Sequence, residues 1–169
     1  MIHLYYGDGK GKTTAACGLA VRAAGSGMRV LFVQFFKNGK SSEIAVLEAV
    51  PNITVKIPET CFGRFKKLTD EQKKELSVVY AKTLGEVISE AGNYDLIVLD
   101  ESVSTYGHGM FGQTDLVGFL RAEGEKREIV LTGRNPAPEL LDAADYATEM
   151  RKEKHPYDRG IHARRGIEF

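Results

Sequence analysis

The first fourteen residues, M-I-H-L-Y-Y-G-D-G-K-G-K-T-T, constrain the fold more than any other part of the chain. A short apolar run breaks into a Gly/Lys loop and then into an Ala-rich stretch of helical character. Gly7, Gly9 and Gly11 let backbone N–H groups turn inward and approach an anion closely. A helix beginning near Lys12 aims the positive end of its dipole at the same point. Lys12 adds a mobile ammonium, and the Thr13 hydroxyl is placed to ligate Mg²⁺. Asp8, Lys10 and Thr14 complete the loop, with Lys10 expected to face the anion, a solvated lysine being the plain alternative. This reads as a cradle for a polyphosphate, most simply a nucleoside triphosphate. The plain alternative is a Gly/Lys turn that precedes a helix by chance.

The loop departs from the usual spacing G-x-x-x-x-G-K-[ST]. Tyr6 stands where the first glycine would be, and the loop reads G-x-x-x-G-K-T, one residue tighter. A shorter loop changes which phosphate nests in it, so ordinary γ-phosphoryl transfer does not follow.

Downstream, apolar runs alternate with helical periods. Strands are expected at Ile2 to Tyr6, Arg29 to Phe36, Ile53 to Ile57, Tyr94 to Leu99, Glu128 to Leu131 and Tyr146 to Met150. Helices are expected at Thr13 to Ala24, Glu43 to Val50, Thr69 to Ala91, Thr114 to Glu123 and Pro138 to Ala143. Thr69-Asp70-Glu71-Gln72 reads as a capping box. Lys37 to Ser42 and Ser102 to Gly112 read as loops. Pro58 to Leu68 has no clear period and is the best candidate for a functional loop. The alternation implies an α/β fold, a mainly parallel sheet with helices on both faces and ligands at the carboxyl ends of its strands. A length of 169 residues suits one domain spanning 1–169.

Two further strands end in chemistry. L-I-V-L-D-E brings Asp100 and Glu101 to the carboxyl end of a core strand, where one acid, Glu101 or Asp100, would hold Mg²⁺; a solvated strand exit is the alternative. I-V-L-T-G-R brings Arg134 to the same edge, as a phosphate contact or as a partner of Asp142 or Asp145. Arg22 is a phosphate contact or a surface charge. The tail from Arg151 to Phe169 is basic, but its apolar punctuation argues that it packs back on the domain.

Composition narrows the class. The 23 basic and 23 acidic side chains balance, which gives no ground for bulk nucleic-acid binding. Two cysteines, Cys17 and Cys61, are too few for a disulfide framework. No apolar run approaches membrane-spanning length. The chain opens on its first strand, leaving no room for a signal peptide, and the placing of Cys17 in the first helix and Cys61 in a polar loop leads to the expectation of a reduced cytoplasmic protein. No Cys/His spacing supports zinc, and no G-x-S-x-G nucleophile is present.

The segments G-D-G-K-G-K-T-T-A-A, V-Q-F-F-K, L-D-E, L-T-G-R, A-D-Y-A-T-E-M and K-H-P-Y-D-R-G-I-H-A-R-R-G-I-E-F occur in this order. Together they resemble the P-loop corrinoid adenosyltransferases of the cob(I)alamin / cob(I)yrinic acid a,c-diamide type, from residue 2 to 169. The resemblance implies a P-loop NTPase-like (RecA-like) fold. It also implies transfer of the 5′-deoxyadenosyl group of ATP to the cobalt of a reduced corrinoid, with triphosphate leaving. Gly7 to Thr14 and Arg22 would then hold ATP. Thr13 and Glu101 would hold Mg²⁺, and Lys12, Thr13, Glu101 and Arg134 would stabilise the departing charge. A reductase of flavin type would supply electrons, and a homodimer is possible in such a family. Where the family carries G-F-T-W in its corrin-facing loop, this chain has C-F-G-R-F-K-K, so Phe62 and Phe65 are the candidates for the corrinoid. The other readings are a small-molecule P-loop kinase and a non-catalytic ATP- or corrinoid-binding protein.

Overall fold

The computed structural model describes residues 1–37, 41–62, 65–112 and 114–168. The centre of the expected polar loop (38–40), residues 63 and 64 of the aperiodic segment, and the terminal Phe169 lie outside the described residues.

Six strands form one sheet: β1 (Ile2–Tyr6), β2 (Val30–Gln34), β3 (Ile53–Lys56), β4 (Leu96–Asp100), β5 (Glu128–Gly133) and β6 (Tyr146–Glu149). Their order is β3-β2-β4-β5-β1-β6, and every neighbouring pair is parallel. The helices are α1 (Lys12–Gly25), α2 (Ser42–Ala49), α3 (Asp70–Glu90), α4 (Ser102–Gly107), α5 (Leu116–Glu123) and α6 (Pro138–Ala143).

The central strands are continuous apolar runs because both faces of the sheet are covered. In β2 all five residues are buried. Strand periodicity then deals them to two cores. Val30 and Phe32 join Val98 and Val130 with Ala16, Ala20 and Ala24 of α1 and Ile44 and Leu47 of α2. Leu31 and Val33 join Ile97, Leu99 and Leu131 with Leu76, Tyr80 and Leu84 of α3 and Phe119 and Leu120 of α5. The small side chains of α1 let that helix lie close to the sheet. The capping box is present in α3: the Gln72 N–H donates to Thr69 Oγ1 at 3.3 Å and the Thr69 N–H to Gln72 Oε1 at 3.0 Å. Lys56, at the end of β3, reaches Glu86 and Glu90 of the same helix at 3.2 and 3.1 Å.

Three boundaries differ from expectation in ways that matter for the site. β2 ends at Gln34 rather than Phe36, because Phe36 adopts a left-handed backbone (φ 53°) that turns the chain away from the ladder. β5 continues to Gly133, carrying a buried Thr132 to the strand end. The expected loop at Ser102 to Gly112 begins instead as helix α4. Its Gly, His and Tyr content suggested a loop, but Ser102, Val103 and Thr105 are buried. The Thr105 hydroxyl bonds back to the Glu101 carbonyl at 2.8 Å, as Ser and Thr side chains do inside helices.

Candidate nucleotide site

Since all six strands run the same way, their carboxyl ends share one rim. β1, β2, β4 and β5 each deliver residues to a cavity of about 590 Å³ there. Asp8, Gly9, Lys10, Gly11, Lys12, Thr13 and Thr14 line it from the loop, with Lys37, Glu43, Glu101 and Arg134 around them.

The loop reaches the helix through Gly11, whose φ of 112° only glycine adopts easily. No side chain caps α1, and its first turn carries no acid. The first-turn amides therefore have no partner within the helix and point their partial positive charge into the cavity. Lys12 is buried, and its ammonium donates to the Gly7 and Gly9 carbonyls at 2.8 and 2.7 Å. Burial pushes its pKa down, and Arg134 acts in the same direction against the pull of Glu101, Asp8 and Asp100.

One expectation about the glycines is corrected. The Gly9 N–H does not point at an anion; it donates to the Met150 carbonyl, 2.6 Å away. A Cβ at Gly9 would stand 2.5 Å from that oxygen, and one at Gly7 2.6 Å. These two glycines admit the backbone leaving β6. The amides of the first helical turn remain open to an anion. Asp8 is engaged from the same direction, accepting the Lys152 N–H at 3.0 Å, which lowers its pKa.

At the centre lies Asp100, fully buried at the end of β4. Its Oδ1 accepts from Thr13 Oγ1 at 2.9 Å and Thr132 Oγ1 at 2.6 Å. Its Oδ2 accepts from Gln34 Nε2 and Lys37 Nζ, both at 3.1 Å. Four donors bind Asp100 in place as the organiser of the cluster, while Glu101 faces the cavity. Glu101 has a left-handed backbone (φ 61°) and gives its N–H to Thr132 Oγ1 at 2.9 Å; its carboxylate accepts from Ser104 Oγ at 2.9 Å. Burial, then the neighbouring Asp100, pushes the Glu101 pKa up.

Arg134 is exposed and lines the cavity, with its N–H on Ser104 Oγ at 3.2 Å. Asp145, one of its proposed partners, accepts instead from the Ile2 N–H at 2.7 Å. Arg22 stands as the surface charge, the other of its two readings. It is exposed in the last turn of α1 and takes no part in the cavity wall. Ten residues of helix separate it from Lys12, about 15 Å along the axis.

Phe62 and Phe65 are also outside the cavity wall. Both pack half-buried against the core on the α3 side of the sheet. Phe65 stacks on His108 at 3.9 Å and meets Phe36 edge-on at 5.8 Å. Phe36 immediately precedes Lys37, so this aromatic group adjoins the cavity through one peptide. The tail does return to the domain: His155, Ala163, Ile167 and Glu168 line the cavity.

Sequence reasoning passed over Gln34, Lys37, Ser104 and Thr132. The signal for Gln34 and Thr132 was a polar residue at the end of an otherwise apolar, wholly buried strand. Such a residue needs a buried partner.

A glycine loop between the first strand and first helix, an acid strand (β4) and one strand (β5) between them define an α/β nucleotide-binding protein of the P-loop class with RecA-like strand order. The fold is shared with the flagellar accessory protein FlaH of Methanocaldococcus jannaschii at a TM-score of 0.51 and 17% identity, covering 89% of this chain and 69% of that one. The chain belongs to the ATP:corrinoid adenosyltransferase family BtuR/CobO/CobP, which it matches over residues 1–169. It is 31% identical over 170 residues to the corrinoid adenosyltransferase of Pseudomonas aeruginosa (98% of this chain, 82% of that protein). It is 29% identical over 172 residues to the corrinoid adenosyltransferase CobA of Salmonella typhimurium (100% and 85%). It is thus a transferase of a family that uses ATP as co-substrate with a corrinoid. Among the described residues no helix is long and apolar enough to cross a membrane.

Proposed function

We propose that this enzyme transfers the 5′-deoxyadenosyl group of ATP to the cobalt of a Co(I) corrinoid and releases triphosphate, in adenosylcobalamin synthesis or salvage. The observation that carries the reading is the convergence of Lys12, Thr13, Glu101 and Arg134 with the uncapped start of α1 on one cavity. These groups suit a large anion whose charge grows as it departs. In the transfer, the cobalt electron pair attacks C5′. A Co–C bond forms, the C5′–O5′ bond breaks, its electron pair leaves on the triphosphate, and cobalt passes formally from Co(I) to Co(III).

The substrate supplies the nucleophile, so the protein needs none. Cys17 agrees with this. It lines the cavity, but burial pushes its pKa to about 12 and keeps it a thiol. The protein's work is to hold the triphosphate, orient C5′ and exclude water. First-turn amides, Lys12 and Arg134 grip the leaving group, and the tightened loop favours presenting the sugar carbon rather than the terminal phosphate.

The residues present fit Mg²⁺. A nucleotide-bound Mg²⁺ uses a hydroxyl, one or two acids, phosphate oxygens and waters rather than an all-protein cage. Thr13 and Glu101 provide the protein share, and the buried Gln34 Oε1, which has no donor among the described residues, is a ready acceptor for metal-bound water. When bound, the ion would neutralise charge on the departing triphosphate. Phe62 and Phe65 would face the corrinoid, a flavin-type reductase would deliver the electrons, and a homodimer is the proposed assembly of this one-domain chain in the cytoplasm.

The test is product identity. Protein incubated with MgATP and chemically reduced cobalamin yields triphosphate and adenosylcobalamin, and no triphosphate without the corrinoid. ADP would indicate a kinase instead, and ATP binding without turnover a carrier.

A further inference from the structure

Lys37 lies at the start of the polar loop after β2, a position where a solvated lysine is ordinary. Its ammonium is instead 3.0 Å from Thr13 Oγ1 and 3.1 Å from Asp100 Oδ2, with Glu43 Oε1 at 3.8 Å. Thr13 Oγ1 is the oxygen that a metal carried by the triphosphate would need. Asp100 is fully buried, and a carboxylate so placed is stable only with a cation and a full set of donors.

The aim of Lys37 is built into the fold. Phe36, one residue earlier, is held at φ 53°, which bends the chain off the line of β2. Its N–H donates to the Tyr80 hydroxyl at 3.0 Å, and its ring meets those of Tyr80 and Phe65 edge-on at 5.5 and 5.8 Å. A non-glycine residue in that conformation needs such fixing. The stem of Lys37 is flexible and its three donors rotate, so its head can leave one set of oxygens for another nearby.

We propose that the Lys37 ammonium is a resident cation at the metal position. It fills that position before nucleotide arrives, pairs there with triphosphate oxygens when nucleotide comes without metal, and yields the position to a divalent ion that enters with the triphosphate. Two cations cannot share Thr13 Oγ1 at 3 Å, so exchange follows from the geometry once a metal enters. The proposal rests on the nucleotide reading above and adds that Lys37 is a positioning residue for the metal, with a role on phosphate in its absence.

The test measures ATP affinity by titration calorimetry with Mg²⁺ and with EDTA, for the native protein, Lys37→Met and Lys37→Arg. Without metal, Lys37→Met loses an ammonium from the triphosphate, and affinity falls about tenfold or more. With Mg²⁺ the methionine no longer competes for the site, and affinity changes by less than about threefold. The metal-free to metal-bound ratio of Kd therefore rises in Lys37→Met and stays near native in Lys37→Arg. Equal weakening under both conditions, or no change under either, overturns the exchange. Lys37→Gln serves if circular dichroism shows the methionine variant unfolded. Failure of the native protein to bind ATP at all defeats the underlying nucleotide reading instead, which separates the two.

Discussion

The loop after β1 keeps its shape through backbone groups, whereas the segment after β2 keeps its shape through rings. In the loop, Lys12 bonds to two carbonyls and Gly9 gives its amide to Met150. After β2, Phe36, Phe65, Tyr80 and His108 hold one another edge-on or stacked. A backbone cradle suits a ligand whose charge and oxygens repeat regularly, as a triphosphate does. A ring cluster can be repacked with other rings while its role survives. One rim thus combines a part that tolerates almost no change with a part that tolerates much.

The largest effect that could break this contrast is at Lys12. Lys12→Ala removes a buried ammonium and its two hydrogen bonds, so MgATP affinity falls about a hundredfold or more by calorimetry. Near-native affinity would dissolve the cradle. Gly9→Ala comes next. Its methyl meets the Met150 carbonyl, so the cost is about 1–3 kcal/mol of stability, or roughly 2–12 °C in Tm, read by thermal denaturation with a loss of ATP affinity. Phe62→Ala sharpens the other side: the corrinoid KM rises about tenfold while ATP affinity stays within a factor of about two. A fall confined to ATP affinity would put Phe62 on the nucleotide side.

The smallest effect lies on the opposite rim. Arg29 donates its N–H and guanidinium to Asp95 and lowers that carboxyl to a pKa of about 2. A depressed folded-state pKa stabilises the protein above the unfolded value of about 3.9 and loses that contribution as pH falls towards 2. Asp95→Asn therefore lowers Tm slightly at pH 6, and the gap from native closes between about pH 4 and pH 2. A gap independent of pH would assign Asp95 a role other than charge. Nucleotide affinity is unmoved by this change, since both residues sit at the amino ends of β2 and β4.

Much of this was legible in the sequence because it is local. Strand, glycine loop, Lys and Thr follow one another directly, and the continuous apolar runs of β2 and β4 announce a sheet covered on both faces. What sequence could not give were contacts across the sheet. Asp100 depends on Thr132, Gln34 and Lys37, which lie 32, 66 and 63 positions away along the chain. Of the two readings of Arg22, the structure places it as a surface charge, because a helix carries a residue away from its own N-terminus at a fixed rise, whatever its charge. The helical start of Ser102 to Gly107 was hidden because the Gly, His and Tyr of the segment read as a loop, and only burial of Ser102, Val103 and Thr105 decides otherwise.

The carbonyl that receives the Gly9 amide belongs to the chain as it leaves the outermost strand. The cradle is therefore braced by a segment made more than 140 residues after the loop itself. A nascent chain holding every residue of the G-D-G-K-G-K-T segment but lacking β6 would have an unbraced loop, and nucleotide capture would wait until β6 has been made.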